Sequence, residues 1–64
     1  MNANQMFIDE LTQMTGVSHQ RIVDTYHESG CTTLEEVREL FMSKFQLSFG
    51  YGNTLAQIII ETEA

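Results

Sequence analysis

Proline does not occur in this 64-residue chain, cysteine occurs once, and only three side chains carry a fixed positive charge. Each scarcity removes possibilities. Without proline, any break between regular elements falls to glycine and to polar capping residues. The single Cys31 cannot close an internal disulfide, and no Cys/His set has the spacing of a zinc site, so neither common staple of a small domain is present. No metal or other cofactor is expected, and a lone thiol agrees with a reducing compartment. Arg21, Arg38 and Lys44 stand against nine carboxylates, a net charge of −6, so the phosphate backbone of DNA or RNA is repelled. No apolar run exceeds three residues, far short of the ~20 that span a bilayer. The opening MNANQMFIDELTQM has no basic region or small-residue cleavage site of a signal peptide. These features point to a cytoplasmic protein that does not enter the membrane.

What is present is enough apolar material, 42% of residues, to build one packed core. A chain this short buries only about 60% of the surface its unfolded form exposes, so stability rests on packing within a single domain, 1–64. Four glycines, Gly16, Gly30, Gly50 and Gly52, divide it. Phe7, Ile8, Leu11 and Met14 recur at helical spacing, and Gly16 is placed to close that helix in the left-handed conformation. Ser18 is a candidate N-cap for a second helix, with Val17 and Ile22 spaced as a hydrophobic staple around it and Ile22, Val23 and Tyr26 on its inner face. Gly30 ends it. Thr33 and Glu36 form a capping box for a third helix, whose stripe runs through Leu34, Val37, Leu40, Phe41 and Phe45.

Ser48-Phe49-Gly50-Tyr51-Gly52-Asn53 then reads as a turn-rich loop, with Asn53 as the cap of a fourth helix carrying Leu55, Ala56, Ile58 and Ile59 inward. The three isoleucines at 58–60 favour a strand by propensity, but a lone strand would leave its edge unpaired, so a helix is preferred. The expectation is an all-α bundle of about four short helices, near 4–15, 18–29, 33–46 and 53–62, with 61–64 as a frayed tail. Gly50 and Gly52 are expected in the loop, at least one of them at positive φ.

The order Thr15-Gly16-x-Ser18, Gly30, Glu36-Val37, and Phe45-x-Leu47-x-x-Gly50-Tyr51-x-Asn53-x-Leu55 resembles a short bacterial family of uncharacterised function. That family has a T-G-K/V-S/T turn, a later glycine, an E-I/V-V-x-W-L helix and a loop of the form F-x-L-G-H-G-H/Y-A-N-A-L. The likeness runs without gaps over 36–55. Leu40 stands at the family tryptophan, Ser48 and Phe49 at its glycine and histidine, and Gly52 at its usual alanine. The resemblance implies a small helical unit, found alone or joined to other domains, and assigns no activity. The alanine at position 52 in the family implies that Gly50→Ala is more damaging than Gly52→Ala.

The chemistry-bearing residues do not form a site by spacing. His19 and His27 are eight residues apart, about 12 Å along a helix, and Gly30 separates His27 from Cys31. The Gly50/Gly52 stretch has neither the lysine of a P-loop nor the third glycine of a dinucleotide fingerprint. A chain of this size has little interior for a water-excluding cleft, so an enzyme is not expected. The leading expectation is a non-enzymatic interaction module that binds another protein or itself through helix three and the aromatic loop, using Met42, Phe49, Tyr51 and Asn53. The other methionines, Met1, Met6 and Met14, are adaptable apolar residues for core or surface. Alternatives are an acidic protein that meets a basic partner or mimics nucleic acid through Glu28, Glu35, Glu36 and Glu39, a helix-turn-helix nucleic-acid binder disfavoured by charge, and an accessory part of a shared enzyme or ligand site.

Overall fold

Every helix in the computed structural model, which describes residues 2–64, begins at a side chain that takes over an orphan backbone amide. Asn2 accepts from the amide of Gln5 to start α1 (Ala3–Thr15), and Ser18 accepts from that of Arg21 to start α2 (His19–Ser29). Thr33 accepts from that of Glu36 to start α3 (Leu34–Phe45), and Ser48 accepts from that of Tyr51 to start α4 (Phe49–Glu63). The fold is an all-α globule of four helices, with no strand among the described residues. Its Cα radius of gyration is 10.4 Å, against about 10.7 Å expected of a compact chain this long.

Gly16 and Gly30 close α1 and α2 at φ of 74° and 73°. The turn between α3 and α4 is made differently from the sequence expectation. Gln46 takes the left-handed conformation at φ 53°, and the Leu47 amide donates back to the Met42 carbonyl at 3.2 Å. α4 therefore starts five residues earlier than expected, with Ser48 as its cap in place of Asn53, and neither Gly50 nor Gly52 lies at positive φ. Glycine propensity argued for a loop; burial of Leu55, Ala56, Ile58 and Ile59 on one continuous helical face outweighs it. The isoleucines at 58–60 are helical, and the helix continues through the tail expected to fray. His27 of α2 meets Glu63 there, Nε2 to Oε1 at 2.9 Å.

α3 and α4 make the most extensive helix pairing, and α1 and α2 pack around them. The core collects Leu11, Ile22, Val37, Phe41, Leu55 and Ile59, each under 2% exposed. Tyr26, Leu34 and Phe45 line its edge.

The α3 cap carries a pH dependence. Hydrogen bonds from the Thr32 amide first, then from the Thr33 amide and hydroxyl, hold the Glu36 carboxyl below the ordinary glutamate range. A folded-state pKa below the unfolded one contributes stability above the unfolded value, and that contribution is lost as pH falls through the folded value. Glu36→Gln is therefore expected to be less stable than the native chain at neutral pH and to match it more closely in strong acid, as read by urea denaturation at both pH values. Thr33→Ala, which removes the other half of the box, is expected to cost about 1 kcal/mol at neutral pH.

Candidate functional site

The sequence-predicted constellation sits where α3 crosses the first turns of α4. Gly52 is buried at this crossing. A methyl group on it would lie 2.6 Å from Met42 Cγ and 3.5 Å from the Arg38 carbonyl oxygen. The missing side chain lets α4 approach α3 closely, which brings Phe49 and Asn53 beside Arg38. Arg38 Nη1 donates to Asn53 Oδ1 at 3.2 Å, and the guanidinium carbon lies 4.5 Å from the centre of the Phe49 ring. Such a cation over an aromatic face is attracted by the ring quadrupole.

Arg38 is held unusually tightly for a surface cation, with 17% of its side chain exposed. Its Nε is sealed from solvent and has no hydrogen-bond partner; Glu39 Oε2 stands 3.8 Å away, beyond hydrogen-bond reach. Phe49 by contrast is 58% exposed. An open ring over a fixed guanidinium, flanked by half-buried Met42 and Asn53, is the most distinctive polar and aromatic grouping on the surface.

Three of the four expected residues, Met42, Phe49 and Asn53, thus share one flank of the α3–α4 pair. Tyr51 does not. Two residues apart on a helix means ~200° around its axis, so Tyr51 emerges on the opposite flank from Phe49. Its ring lies 5.9 Å from that of Phe7 and fastens α1 to α4. Sequence reasoning missed Arg38, although its place one turn before Met42 on α3 puts the two on the same stripe.

Elsewhere, His19 is exposed, His27 is engaged with Glu63, and Cys31 is a free, half-buried thiol. No group of three or more potential metal ligands occurs among the described residues. Glu28, Glu35, Glu36 and Glu39 are exposed, with Glu36 committed to its cap and Glu28 at the edge of a groove between α2 and α3. Among the described residues, no helix is long and apolar enough to cross a membrane.

Comparison of the chain with models of protein families, with curated proteins and with solved structures finds no match. The functional reading therefore rests on the residues themselves.

Proposed function

We propose that this protein is a non-enzymatic interaction module that binds another protein through the patch of Phe49, Arg38, Met42 and Asn53. One observation carries the reading: an aromatic side chain left 58% exposed in a chain whose single core is small, held beside an arginine whose own side chain is only 17% exposed. Aromatic and arginine anchors supply most of the binding energy at protein interfaces, and side chains already fixed in place lose little entropy on docking. The interior gives no comparable support to catalysis, since the side chains of the core among the described residues are all apolar. The resemblance of 36–55 to an uncharacterised bacterial helical unit fits a role beside other domains, and assigns none.

Phe49→Ala separates binding from folding. It removes an exposed ring and a cation–π contact of roughly 0.5–1 kcal/mol, so the variant is expected to melt within a few degrees of the native protein. Tagged native and Phe49→Ala proteins are used side by side to capture partners from the cell of origin, with mass spectrometry as the readout. A protein retained by the native chain and lost from the folded variant is the expected result. Identical recoveries from the two overturn the proposal.

A further inference from the structure

The hydrogen bonds around Arg38 give the patch beside Phe49 a polarity. A guanidinium has N–H donors and no acceptor. The Asn53 amide must therefore turn its oxygen toward Arg38, and Oδ1 does accept from Nη1 at 3.2 Å. The other half of that amide, Nδ2, carries two N–H bonds and is left to point elsewhere. On Arg38 the same holds for Nη2, the twin of Nη1. Neither Nη2 nor Nδ2 has a hydrogen-bond partner among the described residues. Neither is sealed from solvent, because Arg38 Nε is the one buried side-chain nitrogen or oxygen there without a partner.

Covalent geometry keeps both groups close together, each two bonds from an atom of the Arg38–Asn53 contact. Phe49 stands beside them, its ring centre 4.5 Å from the guanidinium carbon. Both side chains are held at the α3–α4 crossing, with Asn53 half-buried and Arg38 17% exposed, so the donors lose little freedom when they are met. Glu39 Oε2, at 3.8 Å from the sealed Nε, is too far to hydrogen-bond it. The surface next to an open aromatic ring thus presents donors from two side chains, while their one acceptor is turned inward.

We infer that the partner meets these donors with a side-chain carboxylate, an Asp or Glu at the rim of an apolar recess that takes the Phe49 ring; the inference rests on the reading of this patch as an interaction surface. A carboxylate brings two acceptor oxygens in one plane, and its bond to a guanidinium is roughly twice as strong as one between neutral groups, which favours it over a backbone carbonyl. A phosphate group, with nearly two negative charges, meets more repulsion from a chain of net charge −6. The acid comes from a folded surface, because a ring that stands 58% exposed enters a recess in its partner.

Two blocked dipeptides, N-acetyl-Leu-Glu-N-methylamide and its Leu-Gln counterpart, isolate this chemistry, since they differ only in carboxylate against amide. Each is titrated into the labelled protein, with the NMR signals of the Phe49 ring and the Asn53 side-chain amide as readout. The Leu-Glu peptide is expected to shift both signals saturably and to bind about fivefold or more tighter than Leu-Gln. Asn53→Asp keeps an acceptor for Arg38, so it is expected to stay folded by circular dichroism, but it replaces the outward donor with an oxygen and is expected to lose the preference, read at Phe49. Gln13→Glu adds the same charge at an exposed site on α1 and is expected to keep it. No saturable shift from the Leu-Glu peptide, equal binding of the two, a preference that survives Asn53→Asp, or one that Gln13→Glu abolishes equally would each overturn the inference. A partner that Phe49→Ala loses and Asn53→Asp retains would overturn it too, while leaving the patch an interaction surface.

Discussion

Phe41→Ala is expected to leave the chain largely unfolded near physiological temperature. Phe41 is fully buried and is the largest side chain in the core, with its ring stacked on Phe45 at 5.6 Å between centroids. Truncating a buried phenylalanine costs about 3–5 kcal/mol, because lost transfer energy adds to the energy of the cavity left behind. At 0.05–0.15 kcal/mol per residue, a domain of this length has roughly 3–10 kcal/mol in total. The deletion thus removes a large part, or all, of the stability. Thermal melting by circular dichroism, with proton NMR dispersion as a check on packing, reads the result. A cooperative melt within a few degrees of the native protein would show that α3 does not carry the core. The exposed Phe49, truncated in the same way, provides the contrast within one residue type.

Alanine at Gly50 and at Gly52 is expected to move stability in opposite directions. Both residues are helical with ordinary negative φ, so each substitution gains helix propensity of up to about 1 kcal/mol. At Gly50 nothing lies within 4 Å of the added methyl, and Gly50→Ala is expected to stabilise by ~0.5–1 kcal/mol. At Gly52 the methyl meets Met42 Cγ at 2.6 Å, a contact that forces Met42 or the helix to shift. Overpacking of this kind costs ~1–3 kcal/mol, so Gly52→Ala is expected to destabilise by about 1 kcal/mol after the propensity gain. The two variants should then melt roughly 6–16 °C apart, with Gly50→Ala the higher. This reverses the order implied by the family resemblance, where alanine stands at the position of Gly52. Equal melting temperatures would mean that Met42 moves aside freely.

The expectation for these two glycines went astray for a reason that can be located. Sequence offered two glycines and an asparagine in a row of small and aromatic residues, which is the chemistry of a turn. The alternative signal was Ser48 followed by helical spacing from Gly52 through Leu55, Ala56 and Ile59, but glycine is the poorest helix former after proline. Close approach of α3 decided the matter, because it makes the absence of a side chain at Gly52 useful inside a helix. The turn moved to Gln46, a residue whose type gives little sign of positive φ. The surface patch was legible in the same partial way. Met42, Phe49 and Asn53 were visible as candidates, Tyr51 was drawn in by proximity along the chain, and Arg38 was counted only as a charge.

Local chemistry by itself determined the all-helical class, the starts of α2 and α3 at Ser18 and Thr33, their separation at Gly16 and Gly30, and the identity of most core residues. Those features depend on neighbours within four residues and on apolar periodicity, both of which are written in sequence order. Only the tertiary structure decided where α4 begins, that Tyr51 faces Phe7 while Phe49 faces Arg38, and that Arg21 and Lys44 line one groove. These depend on how the helices cross, and crossing is set by the shapes of surfaces distant in sequence, such as the gap at Gly52 and the side chain of Met42 that fills it.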